Sequence, residues 1–167
     1  MFFEPIPLAD ETHQQQISLV CDALRLAGRL RLKVQGASML PALWPGDVLT
    51  VDSSSEPLVC GDIVMVERDG RLFVHRLVAR DGSYWITCGD AVPQNDPPVE
   101  SRNVLGKIVG IQRGKREWSP RANVSLFEQC VARLLAKSDC LKSLALRSRN
   151  AFGPVKNRGR RISLELS

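Results

Sequence analysis

Several marks of common protein classes are missing from these 167 residues. Aromatic residues make up only 5% of the chain, which argues against the stacking surfaces that bind single-stranded nucleic acid. No run of about 18 apolar residues occurs, so we expect no membrane-spanning helix. The amino terminus, Met1 to Pro5, has no basic stretch followed by a long apolar run, and we therefore expect no signal peptide.

The cysteines lack the spacing of a known framework. There are five, an odd number, and no Cys-x-x-Cys pair occurs among them, which argues against a disulfide scaffold and against a zinc site. Without an export signal, the simplest expectation is a cytoplasmic protein with reduced thiols.

Most of the chain has no excess of positive charge, and the basic residues that give the net positive charge lie in the last 27 residues. Residues 1–140 contain 16 Lys or Arg against 17 Asp or Glu, whereas residues 141–167 contain seven against one, for a total net charge of +5. The body therefore lacks the basic balance that binds nucleic acid, and we expect no specific nucleic-acid partner.

Short apolar and alternating segments, separated by turns, fill the middle of the chain. Asp69-Gly70 and Asp81-Gly82 are strong hairpin signals between them. This pattern indicates a mainly β protein with a barrel or sandwich core, the β domain spanning residues 30–117. The predicted strands are Leu30–Gln35, Val48–Asp52, Asp62–Arg68, Arg71–Arg80, Tyr84–Cys88 and Leu105–Gln112.

Helical patterns flank the predicted strands. Residues 1–29 form an arm and a helix over about 11–27, with Asp10 as its amino-terminal cap and Gly28 as its stop signal. The apolar face of this helix consists of Ile17, Val20, Cys21 and Leu24.

The carboxyl-terminal region has two interpretations. Residues 118–150 carry apolar residues at helical spacing, interleaved with Lys and Arg, and residues 151–167 form a basic flexible tail. The helical segment either packs on the β domain or lies as a basic amphipathic helix on an anionic membrane surface. The second interpretation predicts peripheral membrane contact. The oligomeric state stays open.

Ser38 is the candidate nucleophile. It follows a predicted strand, with the small residues Gly36 and Ala37 before it and Met39 after it. A serine in such a position can attack a carbonyl if a base lies within hydrogen-bond reach. The alternative interpretation is an ordinary serine at the end of a strand.

His75 is the candidate base, since His13 falls in the polar first turn of the predicted helix. Alternation places His75 on one strand face with Phe73 and Leu77, either in a core or at the edge of a cleft. The loop after the next strand contains Asp90 and Asp96, either of which could orient an imidazole. The alternative role of both aspartates is turn capping.

Four short segments follow one another between residues 30 and 112: Gly36-Ala37-Ser38-Met39-x-Pro41 with Gly46-Asp47, Gly61-Asp62-Ile63-Val64, Val74-His75-Arg76, and Gly89-Asp90 followed by Asn95-Asp96. In this order and rough spacing they resemble the signal peptidase I and LexA-like serine peptidases. Bacterial signal peptidases use a lysine where this sequence has His75, so the resemblance is closest to the archaeal and endoplasmic-reticulum branch with its Ser-His-Asp arrangement. Two departures are the lack of membrane anchors and Gly36 at a position where some bacterial members have a serine.

The resemblance implies a serine endopeptidase that cleaves an extended peptide or protein substrate after small residues, without metal or organic cofactor. Ser38 would attack, His75 would take its proton, Asp96 would orient His75, and Asp90 would support the loop and share that task. The oxyanion would rest on backbone amides, including that of Ser38. The substrate-binding residues would be Met39, Gly36 and Ala37.

Three other functions are weighed against this one. The same cleft could bind a peptide or leader sequence without cleaving it. A thiol enzyme could use Cys88 with His75, although Cys88 has no activating motif of its own. Self-cleavage in the LexA manner would have to occur at Ala27-Gly28, which lies too few residues before Ser38 to loop back.

Overall fold

The computed structural model describes residues 8–55 and 57–120, with side chains from residue 14 onward. The predicted arm before residue 8, the helical pattern at 124–148 and the basic tail at 151–167 lie outside these residues. The described elements are α1 (Leu8–Ala27), β1 (Arg29–Lys33), β2 (Val48–Asp52), β3 (Ile63–Arg68), β4 (Arg71–Asp81), β5 (Tyr84–Cys88), β6 (Val99–Glu100), β7 (Val104–Arg113) and β8 (Arg116–Trp118), with a short 3₁₀ turn at Ser101–Asn103.

The strands form one antiparallel sheet, which confirms the mainly β prediction. Its order is β1-β2-β7-β3-β4-β5-β6. The short strand β8 pairs with the end of β7, at Ile111–Arg113, whereas β3 pairs with the beginning of β7. The path is open, with β1 and β6 at its ends, so the predicted barrel or sandwich is replaced by a single open sheet. Alternation predicts strands but not which strands pair, so the sequence could not show whether the sheet closes into a barrel or stays open.

Helix α1 begins earlier than expected but ends where expected. It includes Leu8, so Asp10 lies inside the helix rather than at the predicted cap. It ends at Ala27, and the next residue, Gly28, is the predicted stop signal, with a left-handed φ of 71° and an N–H that donates to the Leu24 carbonyl at 2.8 Å. The predicted apolar face is buried in full: Ile17, Val20, Cys21 and Leu24.

Two hydrophobic cores lie on opposite faces of β3. Ile63 and Met65 join the core covered by α1, while Val64 and Val66 belong to a second core that includes Leu77. All four are buried, because both faces of this strand are covered. The first core continues into β1, β2 and β7, so α1 supports the half of the sheet from which the chain runs into residue 38.

The two Gly-Asp turns are built alike. Gly46 and Gly61 have φ of 92° and 99°, the left-handed values that the third position of a type II turn requires. Asp47 accepts from the Trp44 N–H at 2.8 Å and pairs with Arg113 of β7 at 2.7 Å. In the second turn, Asp62 likewise accepts from the Val59 N–H and pairs with Lys107 of β7. Each turn is therefore capped by its own aspartate.

The remaining differences are at strand boundaries. β1 ends at Lys33, two residues before the predicted end, because Val34 to Asp47 form the loop that carries Ser38. Strands β6 and β8 were not predicted, since two and three residues are too few for alternation to be visible.

Candidate active site

Ser38 lies in the loop between β1 and β2 and is held there by its own backbone. Its carbonyl accepts a hydrogen bond from the Ala91 N–H at 2.7 Å. Ser38 is also part of a tight turn, in which the Leu40 N–H donates to the Ala37 carbonyl at 3.3 Å. The segment before the next strand is thus tied to the loop after β5, and the half-buried Ser38 side chain is presented between them.

His75 faces this serine from the middle of β4. It lies opposite Val64 of β3 in the strand register and is only 4% exposed. Its Nε2 atom lies 3.0 Å from the Ser38 Oγ. Two residues 37 positions apart in sequence therefore meet at hydrogen-bond distance, the separation expected of a nucleophile and its base.

Asp96 completes the line of polar side chains. Its Oδ2 atom lies 2.5 Å from the His75 Nδ1 and accepts from the Thr87 hydroxyl at 2.6 Å. Burial favours the neutral carboxyl, but the hydrogen bonds from His75 and Thr87 outweigh it, and the pKa of Asp96 is lowered. A carboxylate can only accept, so the contact with Asp96 requires a hydrogen on Nδ1, and an imidazole with its single hydrogen there presents the Nε2 lone pair to the serine hydroxyl.

Asp90 occupies a different position from Asp96. Its two carboxylate oxygens accept from Nε and Nη2 of Arg76, both at 2.8 Å. Arg76 also donates to the Gly61 carbonyl at 2.7 Å, on the strand face opposite His75. Asp90 therefore braces the loop after β5 against the second Gly-Asp turn, while Asp96 is the aspartate at the imidazole.

Gly89 is a site residue whose role was missed in the sequence, where it was interpreted only as part of a turn. A Cβ atom added there would lie 2.8 Å from the Ser38 carbonyl oxygen and 3.1 Å from the His75 Nε2. Only glycine lets the loop approach both groups this closely. No local sequence signal distinguishes this close approach from an ordinary turn.

The three predicted substrate-binding residues divide into two groups. Gly36 and Ala37 are half-buried beside Ser38, where a bound peptide could reach them. Met39 is only 3% exposed and belongs to the first core, which corrects the expectation that it lines the cleft. Its sulfur accepts from the Asp90 N–H at 3.4 Å, so Met39 contacts the loop after β5 from the side of the first core.

Cys88 is poorly placed to act as a nucleophile. Its thiol lies 3.4 Å from the carbonyl oxygens of Gly89 and Gln94. Burial raises the pKa of this thiol, and the negative charges of Asp96 and Asp90 raise it further. Since the thiol is protonated and His75 faces Ser38, the arrangement argues against the thiol enzyme.

A positive side chain that was absent from the sequence prediction lies beyond Asp96. Arg68, the last residue of β3, places its Nη1 atom 3.9 Å from Asp96 Oδ1. Its guanidinium lies over the ring of Phe73 at 4.5 Å. An arginine before a hairpin turn has many ordinary uses, so sequence alone offered no reason to connect it with the site.

The geometry can support nucleophilic chemistry, and one comparison agrees with it. A hydroxyl, an imidazole and a carboxylate stand in line with the spacing of a nucleophile, base and orienting group. The family model described as Peptidase S24-like matches residues 4–109, which include all three residues. No curated protein matches the sequence significantly. Within the part of the chain that the structure describes, no helix has the length and apolar character needed to cross a membrane.

Proposed function

The chain belongs to the Peptidase S24-like family, and on that premise we propose that it is a serine endopeptidase. The observation that carries the proposal is the continuous contact from Ser38 through His75 to Asp96, at 3.0 Å and 2.5 Å. A serine that only binds peptide needs neither a base on its hydroxyl nor a carboxylate behind that base.

Acyl transfer follows from this order of groups. As the Ser38 oxygen bonds to the peptide carbonyl carbon, His75 Nε2 takes the hydroxyl proton, and the imidazolium is stabilised by Asp96. The same proton then goes to the leaving amine, the peptide C–N bond breaks, and an ester to Ser38 remains. Water, deprotonated by His75, cleaves this ester and restores the serine hydroxyl.

The Ser38 amide is our candidate for stabilising the oxyanion. No residue in the described ranges accepts a hydrogen bond from this N–H. It belongs to the same residue as the attacking oxygen. When that oxygen bonds to the carbonyl carbon, the negative oxygen of the tetrahedral intermediate forms close to this residue, within reach of such an N–H. With Gly36 in place of a serine two residues earlier, the contribution of a side-chain hydroxyl from that position is lost.

The substrate would bind as an extended strand. Among the described strands β1 pairs only with β2, which leaves its other edge without a described partner strand, and the chain runs from β1 into the loop of Ser38. Strand addition to such an edge orients a peptide through backbone hydrogen bonds. The preference for small residues before the cut, and the likeness to the Ser-His-Asp branch of signal peptidases, rest on the motif resemblance around Gly36, Ser38 and His75.

A peptide library read by mass spectrometry tests the proposal. We expect cuts after small residues with the wild type, and a loss of at least about 10³-fold in rate for Ser38→Ala and for His75→Ala. Cys88→Ser is the control, because it removes the neighbouring thiol and leaves the serine mechanism intact.

Each contrary result has a distinct meaning. Cleavage that survives in Ser38→Ala would show that the nucleophile is another residue, and loss of cleavage in Cys88→Ser would favour the thiol enzyme. If neither the wild type nor any variant cleaves a peptide, but the wild type and Ser38→Ala bind the same peptides, the chain is a peptide-binding module on this fold.

A further inference from the structure

The two oxygens of Asp96 have very different surroundings. Oδ2 receives both hydrogen bonds, from His75 and from the Thr87 hydroxyl. Oδ1 has no hydrogen-bond donor among the residues that the structure describes, and it faces Arg68 Nη1 at 3.9 Å. That nitrogen is itself buried without a hydrogen-bond partner. The contact between Arg68 and Asp96 is therefore an ion pair without a hydrogen bond.

Arg68 is held in this position by an aromatic ring that also borders the histidine. Its guanidinium carbon lies 4.5 Å from the centre of the Phe73 ring, a cation–π distance. The centre of the same ring lies 5.9 Å from that of His75. Only 20% of the Arg68 side chain is exposed, so its charge is screened by water less than that of an ordinary surface arginine.

We propose that Arg68 is a positioning residue that acts through Asp96 to keep His75 neutral, and hence able to accept a proton, at lower pH. This inference rests on the proposed peptidase function. The positive guanidinium offsets part of the negative charge of Asp96 and repels the imidazolium that forms beyond it. Both effects disfavour proton uptake by His75 from solvent.

The other charged groups near His75 do not supply this effect. On the opposite face of β4, Arg76 and Asp90 pair with each other through two hydrogen bonds of 2.8 Å, so their charges offset one another. The nearby Cys88 thiol is neutral, because burial raises its pKa. Lys107, which the strand register places on the same sheet face as His75, pairs with Asp62 at 2.9 Å. Among the described residues, Arg68 is thus the cation that acts on Asp96, through the oxygen that Thr87 does not contact.

A purely structural role for Arg68 makes a different prediction. If Arg68 only covers Phe73, its loss lowers activity or stability by the same factor at every pH. If it acts through Asp96, its loss moves the acid limb of the pH profile, the range in which activity falls because the base is protonated. The position of this limb separates the two roles even when a variant is less stable.

The first experiment is the pH dependence of kcat/KM for three variants. For Arg68→Met we expect the acid half-point to rise by about half a pH unit, the size expected of a partly exposed ion pair. Arg68→Lys keeps the charge and should stay near the wild type. The matched control is Arg80→Met, which also removes an arginine stacked on an aromatic ring, since Arg80 lies 5.0 Å from the centre of the Trp85 ring.

The second experiment needs no turnover. In the Ser38→Ala background, NMR follows the imidazole signals of His75 against pH, and His13→Gln identifies them because the chain has only two histidines. We expect the pH at which these signals move to rise in Arg68→Met. If that pH rises in Arg68→Met while the wild type, with Ser38 present, cleaves no peptide, the role of Arg68 is supported and the proposed peptidase is overturned.

Equal half-points in wild type, Arg68→Met and Arg80→Met, by kinetics or by NMR, would overturn the role of Arg68 and leave the peptidase standing. An equal rise in Arg68→Met and Arg80→Met would overturn it too, because net charge alone would then explain the shift. Thermal melting selects the temperature at which all variants are folded, and Arg68→Gln serves as the second neutral variant.

Discussion

At the scale of single residues, Gly89 decides how closely the serine and the histidine can approach each other. The loop that contains it lies against the Ser38 carbonyl and the His75 imidazole at once, at distances that leave no room for a side chain. The conformation is not left-handed at this position, so the requirement for glycine is one of space rather than of backbone freedom.

Gly89→Ala should therefore lower kcat/KM by about 100-fold, because displacements on the order of 1 Å at a catalytic group have effects of that size. Steady-state kinetics measures it. Gly82→Ala is the control, since Gly82 has a φ of 57° in a remote hairpin with nothing within 4 Å of an added Cβ. Gly82→Ala strains the backbone but changes no contact of Ser38 or His75, so its kcat/KM should match that of the wild type. Equal activity of Gly89→Ala and wild type would show that the loop can move away without consequence.

Much of the site could be predicted from residue types. Ser38, His75 and Asp96 were candidates from their motifs, and the structure brings all three together. Residue types alone left the partition between the two aspartates open, because Asp90 and Asp96 occupy one loop and either could reach an imidazole, whereas the resemblance gave Asp96 the main role at His75 and Asp90 a supporting one. The strand face of Arg76 decides it, since this arginine takes both oxygens of Asp90.

At the scale of elements, the sheet is held by aspartates at the ends of strands. Asp47 and Asp62 tie their turns to β7, and Asp52 closes the end of the β1–β2 pair. Asp52 accepts from the Ser54 hydroxyl at 2.7 Å, from the Ser54 N–H at 2.9 Å and from Arg29 Nε at 2.7 Å. These contacts stabilise the carboxylate form and lower the pKa of Asp52 to about 2.

Asp52→Asn should consequently destabilise the protein in a pH-dependent way. Because the pKa in the folded state is below the ordinary 3.8, the carboxylate stabilises the fold above about pH 4, and this contribution disappears as the pH falls to about 2. Urea unfolding should show a lower midpoint for Asp52→Asn at pH 7, and the difference should close in that window.

Asp22→Asn provides the comparison for that experiment. Asp22 pairs with Arg25 at 3.5 Å on the surface of α1, with 59% of its side chain exposed, and exposed pairs of this kind contribute little. We expect its midpoint to match the wild type. A difference for Asp52→Asn that stays constant down to pH 2 would mean that its carboxylate charge is not what stabilises the strand pair.

At the scale of the whole molecule, the two cores lie on opposite faces of the sheet, and His75 is on the face of the second core. Leu24 of α1 lies in the first core and is 1% exposed. Leu77 of β4 lies in the second core, is also 1% exposed, and is two residues from His75. The sheet stands between them, so a cavity beneath α1 should leave the face that carries His75 in place.

Leu24→Ala and Leu77→Ala should each lower the free energy of unfolding by about 2–5 kcal/mol. At a temperature where both are folded, kcat/KM should be unchanged in Leu24→Ala and reduced in Leu77→Ala, because only the second cavity lies on the face of β4 that carries His75. Urea denaturation and steady-state kinetics on the same samples measure both quantities. Equal activities in the two variants would show that the cores do not act separately on the site.

The sequence by itself determined the local structure and the kinds of groups available. Alternation predicted Val48–Asp52 and Tyr84–Cys88 to the residue, and Asp69-Gly70 predicted a turn in which both residues have positive φ. These features depend on side-chain period and backbone freedom within a few residues, which a sequence displays directly.

Only the tertiary structure decided the partners. The open sheet, the burial of Met39, the space at Gly89 and the ion pair of Arg68 with Asp96 all join residues that are distant in the chain. Their contacts depend on which strands pair and in which register, and many pairings satisfy the same alternating pattern. The pairing of β3 with β4 sets the register of Arg68 and His75, but Met39, Gly89 and Asp96 lie in loops whose positions depend on contacts that no strand pattern displays.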